Sequence, residues 1–314
     1  MDIKIPPFRD SHIHFAVNGK TVSDKGIRDI MDNFIKHGIF SVIDMGYKSG
    51  EGLRAKRLIG NKLLIKSAGF AIYKRGTYGV FLGKGLSHRS EIKNLIKEII
   101  DSGADFIKII NSGIVHPKGK ISPGGFDFEE LRIICEEVKQ KDIEVSCHVN
   151  GDKAIREAIE AGVSTIEHGY FISKESIHVL KEKNISWTPT IYALKVYSSL
   201  LLGNEKEYIE DVIERHLESI YYASTIGARL NVGTDSGSRE VHHGISFIEE
   251  LRLFSKAGLS FNQIIDAACM EKDEIQKGNF LLVEKEFINT GKIKAIFKEN
   301  CMLHPSSDYY QSTN

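Results

Sequence analysis

Short apolar runs alternate along the chain with segments whose apolar positions recur every three or four residues. That alternation predicts repeated strand–helix units around a parallel sheet. Candidate strands fall near residues 8–15, 39–45, 63–69, 104–110, 143–148, 164–168, 185–189 and 228–234. Between them, Ile92, Leu95, Ile96, Ile99 and Ile100 mark one face of a helix, and Phe128, Leu131, Ile134, Cys135 and Val138 mark another. The stretches IFSVIDM, DFIKII and ARLNVGTD are mostly apolar with polar residues late, as strands covered by helices should be. Consecutive units with no marked chain reversal predict an α/β fold closed as a TIM (β/α)8 barrel rather than an open doubly wound sheet. After the last unit, SFNQIIDAACMEKDEI reads as a short helix, and NFLLVEKEFINTG and KIKAIFKEN as extended pieces. The expected organisation is a barrel over residues 1–275, followed by a small C-terminal β appendage and tail over 276–314.

Composition narrows the function classes. The 314 residues carry 42 Lys and Arg against 42 Asp and Glu, a formal charge of zero, with 41% hydrophobic side chains. A chain with no basic surplus and no basic cluster lacks the means to release counterions from phosphates, so nucleic acid is not an expected partner. The opening MDIKIPPFRD has no apolar signal core, and runs such as LLL at 200–202 fall far short of the ~18 apolar residues that span a bilayer. A cytoplasmic protein acting on a small-molecule substrate, away from membranes, is the expectation, and a homo-oligomer is compatible with it. Cys135, Cys147, Cys269 and Cys301 form no C-x-x-C pair and read as reduced thiols. No G-x-S-x-G elbow, P-loop or dinucleotide fingerprint is present.

The informative chemistry gathers where strands end. His12 and His14 lie two apart in RDSHIHF, so on a strand both rings point to one side, a spacing that suits a metal ion. Lys108 interrupts the apolar strand GADFIKII, between Phe106 and Ile110 on its own face, and a buried lysine must be paired, neutralised or used. His148 closes IEVSCH, His168 closes STIEH and Asp235 closes NVGTD. Barrel enzymes build their sites on this C-terminal rim of the strands. Imidazole and carboxylate gain nothing from a dry core, so the set reads as a metal site. Cys147, next to His148, is sent by strand alternation to the opposite face and reads as a core thiol. The Gly-rich loops 70–87 and 111–125, with 237–244, read as pocket walls, and Tyr73, Arg75, His116, His242 and His243 lie within them.

D-x-H-x-H at Asp10, His12 and His14, a lysine on the fourth strand, single histidines on the fifth and sixth, and G-T-D-S-G around Asp235 resemble the amidohydrolase superfamily. The likeness is to its branch of imidazolonepropionase and prolidase-like dipeptidases, and GADFIKIINSG, CHVNGDKAIREAIEAGVSTIEHGY, WTPT and NVGTDSG carry it over roughly residues 5–300. The resemblance implies a metal-dependent hydrolase that cleaves an amide bond, in a cyclic amide, dipeptide or N-acyl amino acid, through a metal-bridging hydroxide. His12, His14 and Asp235 would hold one divalent ion, His148 and His168 a second, and a carboxylated Lys108 would bridge them. Zinc suits these donors, with Mn, Co or Fe as substitutes. Asp235 would relay the proton, and Tyr170, in EHGY, would donate to the oxyanion. The same site would also serve a lactonase or phosphotriesterase-like enzyme. A mononuclear deaminase would need an acid after His148, where Asp152 is the candidate, and would leave Lys108 unexplained. A non-catalytic metal-binding barrel would be expected to have lost a ligand. Only nine residues precede Asp10, so the β-sandwich common beside such barrels is expected to be absent or vestigial, and YKRGTYGVFLGKG departs from the dipeptidases' loop.

Overall fold

The computed structural model describes residues 2–122 and 124–305. Parallel strands alternate with helices around a barrel. Strand Phe8–Ile13 pairs with Ile39–Asp44, which pairs with Leu64–Ser67. A second run, Ser186–Thr188, Thr165–His168, Val145–Val149, Ile107–Ile110 and Ala71–Lys74, is also parallel throughout, with Gly83–Leu86 at its edge. The barrel's third position is therefore filled in two pieces. The predicted strand, observed as Leu64–Ser67, pairs with the second, the chain then turns at Ala68–Phe70, where Gly69 has φ +65°, and Ala71–Lys74, in the stretch read as loop, pairs with the fourth.

The eighth predicted strand forms no regular ladder. The barrel closes through residues 229–236 by scattered bonds: Trp187 N–H donates to Arg229 O at 2.9 Å, Ser11 N–H to Val232 O at 2.9 Å, and Asp235 N–H to His12 O at 2.8 Å. Gly233 permits this approach, because a Cβ there would lie 2.5 Å from Thr188 Cγ2 and 2.8 Å from His12 Cβ.

The outer helices follow from amphipathic spacing and capping. Asp127 begins Phe128–Lys139 with a reciprocal capping box to Glu130, and Leu131, Ile134, Cys135 and Val138 turn inward. Ser23 caps Asp24–Lys36, which buries Ile27, Ile30, Met31 and Phe34. Their apolar faces and the strands' outer faces form one continuous core that includes Cys147. All four cysteines are unpaired. Among the described residues, no helix is long and apolar enough to cross a membrane.

The appendage is a four-stranded antiparallel sheet ordered Asp2–Ile5, Phe280–Glu284, Ile293–Lys298, Cys301–Pro305. Its first edge strand comes from the N-terminal side of the chain, so Asp2–Ile5, ahead of the first barrel strand, are part of a sheet beside the barrel. The loop predicted over 111–125 contains a small hairpin of Val115–His116 with Lys120–Ile121.

Candidate metal centre

Each strand end delivers its side chain to one cavity of about 330 Å3, lined by His12, His14, Lys108, His148, His168 and Asp235. Strand register explains part of this convergence. Ser146 lies opposite Lys108, and Glu167 opposite His148, so Lys108, Ser146, His148 and Glu167 share the inward face. By alternation His168 would point outward. Its backbone instead takes φ +66°, and Asp235 likewise takes φ +57°. Such left-handed conformations are costly for non-glycine residues and cluster at functional sites. Here they turn the last side chain of each segment back over the barrel mouth.

Hydrogen bonds fix which histidine nitrogens face the cavity. His12 Nδ1–H donates to Glu167 Oε2 at 2.7 Å, and His14 Nδ1–H to the Gly46 carbonyl at 2.8 Å. His168 Nδ1–H donates to Thr190 Oγ1 at 2.7 Å, whose own proton goes to Pro189 O at 2.8 Å. In these three rings Nε2 is left as the lone-pair donor. His148 is reversed: its Nε2–H donates to Gly113 O at 3.3 Å, which frees Nδ1. Backing of one ring nitrogen by a carboxylate, carbonyl or hydroxyl is the arrangement that orients metal-binding imidazoles.

The rings are close together. The His148 and His168 centroids are 4.4 Å apart, and those of His12 and His168 4.9 Å. Asp235 Oδ1 lies 3.3 Å from His14 Nε2 and 3.5 Å from His12 Nε2. His12, His168 and Asp235 present ligand atoms that all fall within 4.8 Å of one another, a group able to hold a metal ion.

Electrostatics keep three of the four imidazoles neutral. Burial, reinforced by the Lys108 charge, pushes His148 down to about 3 and holds His12 well below the ordinary histidine range, and burial with the neighbouring rings does the same for His168. Neutral imidazole is the form that binds metal. His14 is raised, since the Asp235 carboxylate outweighs the effect of burial. Asp235 is lowered for the converse reason, with burial outweighed by His14, His12 and Lys108. Lys108 is 2% exposed, and its Nζ has no hydrogen-bond partner among the described residues. Burial drives it below the usual lysine range.

Other residues singled out from sequence have different places. Tyr170 lines the cavity, but its hydroxyl donates to Thr190 O at 2.9 Å. Asp152 is occupied outside the cavity as a helix-start acceptor, taking Ser176 Oγ–H at 2.6 Å and Ser173 N–H at 2.9 Å, so it is not placed as a deaminase acid. His243 is buried beneath the site, with Nε2–H donating to His14 O at 2.9 Å. Arg75 donates to Gly85 O at 3.1 Å, while His116 and His242 are exposed, and none of these, nor Tyr73, lines the cavity.

Sequence reasoning missed Glu167, although the same alternation that identified Lys108 would have placed it inward. It also passed over Asp10 as a support. Asp10 accepts from Thr234 Oγ1 at 2.7 Å and Thr234 N at 3.0 Å, tying the first strand to the segment that carries Asp235. Burial raises Asp10 to about 7 despite those bonds.

Known proteins share both the sequence pattern and the architecture. Ochratoxinase of Aspergillus niger is 28% identical over 152 residues, 46% of this chain and 32% of that protein. An uncharacterized Mycobacterium tuberculosis protein is 23% identical over 191 residues, 59% of this chain and 51% of its own length. The chain thus spans about a third to a half of these relatives in the matched stretches. Among solved structures, A. niger ochratoxinase superposes with a TM-score of 0.77 at 19% identity, covering 96% of this chain and 83% of that one. A Xaa-Pro dipeptidase with methionine bound in its active site gives 0.78 at 20% identity, with 96% and 87% covered. Both likenesses show the fold, an amidohydrolase-type TIM barrel. A profile of the amidohydrolase family matches residues 3–272, nearly the whole chain, and the chain belongs to the amidohydrolase family.

Proposed function

We propose that the protein is a metal-dependent hydrolase of amide C–N bonds. His12, His14 and Asp235 would hold one divalent ion and His148 and His168 another, zinc by donor type, with Lys108 between them as its N-carboxylate. The observation that carries this reading is the Lys108 amine, buried without a partner among four histidines and a carboxylate. A buried ammonium left so is expensive, and as an ammonium it would repel any cation the histidines bind. Addition of CO2 to the neutral amine forms a C–N bond and releases one proton. The cation becomes an anion with two oxygens, and the depressed lysine range favours the reactive amine.

Divalent ions in this donor set supply a Lewis acid that polarises the scissile carbonyl and acidifies water. The chain's own groups do the rest. Asp235 is ionised at neutral pH and partly open to the cavity, its side chain 20% exposed, so a carboxylate oxygen can take the proton of the attacking water. As the C–N bond breaks, that proton passes to the leaving nitrogen, giving a carboxylic acid and an amine. Tyr170 can donate to the developing oxyanion only by exchanging its bond to Thr190 O. As placed, it supports the loop whose Thr190 orients His168.

Metal analysis after zinc reconstitution tests the reading. Two ions per chain and electron density extending beyond Lys108 Nζ are expected, and one ion or none at saturation, or an unmodified amine in a loaded site, would overturn it. Asp235→Asn should lower amide turnover by about 10²–10⁴-fold while the metal-free fold is retained. Undiminished turnover would remove Asp235 as the proton carrier.

A further inference from the structure

Outside the ligand cluster the cavity wall is hydrocarbon and aromatic, with Phe81, Leu82, Ile110, Ile114 and Leu194 among its members. Apart from Lys108, Asp235 and the histidines, one ionisable group of fixed charge stands on it: Arg239. Arg239 is exposed, and no hydrogen bond or ion pair among the described residues engages its side chain. The adjacent Glu240 faces His242 instead, 3.9 Å from its Nε2. The hydroxyls of Tyr78 and Tyr197 are neutral, and the amide and serine groups of the wall are committed. Asn150 donates to Gly113 O and accepts from Tyr170 N, Ser238 Oγ–H donates to Asp235 O, and Asn18 Oδ1 accepts from Glu240 N.

The segment carrying Arg239 is held in place. Gly237 N–H donates to Val241 O at 3.0 Å, and Gly19 N–H to Gly237 O at 2.9 Å. Arg239 thus stands on a short stitched turn that begins at Asp235. The group assigned to protonate the leaving nitrogen and the unpaired guanidinium of the cavity wall belong to the same turn.

We propose that Arg239 captures the carboxylate of an amino-acid leaving group, and that the substrates are N-acyl amino acids with apolar or aromatic side chains and no free α-amine. This rests on the hydrolase reading above and names its substrate class. In an α-amino acid the scissile nitrogen and the carboxylate are separated by one carbon, so a substrate with its nitrogen at Asp235 has its carboxylate nearby. Guanidinium binds carboxylate through two parallel charge-assisted hydrogen bonds. The apolar wall takes the side chain and acyl group. A dipeptide's ammonium, in contrast, finds no counter-charge. Asp235 is the one carboxylate lining the cavity, and it already faces His12 and His14. Such an ammonium would be desolvated with only neutral oxygens, such as the Tyr78 and Tyr197 hydroxyls, to accept from it. Water adds to the acyl carbon, the C–N bond breaks, nitrogen receives the proton, and the products are an acyl carboxylate and a free amino acid.

The test compares N-acetyl-phenylalanine with N-acetyl-phenethylamine, which lacks only the carboxylate, on the metal-loaded wild type and on Arg239→Met and Arg239→Lys. Wild type should favour the acid in kcat/KM by about 10- to 100-fold, the range for a charge-assisted pair. Arg239→Met should abolish that preference through KM, leaving the phenethylamide within about twofold, and Arg239→Lys should restore part of it. Glycyl-phenylalanine should be cleaved at least about tenfold more slowly than N-acetyl-phenylalanine. Titration calorimetry with N-acetyl-phenylalanine should show the same loss of affinity in Arg239→Met, independently of turnover. Equal losses on both substrates, an unchanged preference, or dipeptide cleavage at the rate of the blocked substrate would overturn the assignment. If the loaded wild type cleaves neither substrate but calorimetry still shows the Arg239-dependent carboxylate affinity, the hydrolase reading fails and the carboxylate site stands.

Discussion

Replacing Glu167 by Leu tests whether the outer hydrogen bonds set the metal site. Glu167 is buried, and its two oxygens are both engaged, by His12 Nδ1 at 2.7 Å and Ser146 Oγ at 2.8 Å. Leu fills similar space but offers no acceptor. Leaving the His12 Nδ1–H unsatisfied in a buried site costs about 1–3 kcal/mol, which favours moving the proton to Nε2. There it meets Asp235 Oδ1 at 3.5 Å, so the metal-free protein has a ready alternative. That tautomer closes the nitrogen facing the cavity, and restoring the other one must be charged against binding. The expected result is a loss of about 10- to 100-fold in zinc affinity, or about 1.4–2.7 kcal/mol. Competition with a chromophoric chelator reads it directly. Glu167→Gln is the companion variant: with its amide turned so that Oε1 faces His12 and Nε2 donates to Ser146 Oγ, it keeps the tautomer, and its loss should be smaller. Wild-type affinity in the Leu variant would refute the argument, and equal losses in both would assign the effect to charge rather than to the acceptor.

Two further outcomes follow from the same geometry. Gly237 has φ +98°, and a Cβ there would lie 2.3 Å from the His14 carbonyl oxygen, so Gly237→Ala should destabilise the protein by about 3 kcal/mol or more in urea unfolding. A change under ~1 kcal/mol would show that the turn after Asp235 is not fixed. His243 is held neutral in the fold, pushed down by burial from 6.5 to about 4, so the unfolded chain binds more protons between those values. Its contribution is present above the unfolded value and lost as pH falls through the folded one. Between pH 7 and pH 5 the loss amounts to about 2 kcal/mol. In metal-free protein His243→Gln, which can keep a donor toward His14 O, should reduce the pH dependence of unfolding by that amount, and an unchanged slope would contradict it.

The barrel was legible because burial imposes period. Ile92, Ile96 and Ile99 are the buried positions of their helix, as the spacing requires. What escaped were places where glycine replaces periodic packing. Ala71–Lys74 and Gly83–Leu86 pair within a stretch expected to be loop, because Gly83 has little strand preference of its own. A Cβ at Gly83 would lie 1.9 Å from Ala71 O, so backbone proximity, invisible to hydrophobic pattern, selects the residue. The edge strand Asp2–Ile5 is similarly hidden, since its partner Phe280–Glu284 lies at the far end of the chain.

At the site, residues of unlike chemistry at strand ends could be found from sequence, since a lysine or histidine in an apolar run is a local anomaly. Their aim could not. Alternation alone sends His168 away from its register neighbour Glu167, and the left-handed backbone that reverses it has no sequence signal when the residue is histidine. Arg239 was hidden for a different reason. In sequence, Arg75 and Arg239 are equivalent: each is an arginine in a loop near the barrel mouth. The structure separates them by partnership, since Arg75 Nε–H is engaged by Gly85 O at 3.1 Å whereas Arg239 has no partner among the described residues and lines the cavity. A charge without a partner at a cavity wall is a property of the assembled fold. The overall balance of zero conceals it, since on the proposal above a carboxylate-bearing substrate would be recognised by one unpaired guanidinium rather than by a surplus spread over the surface.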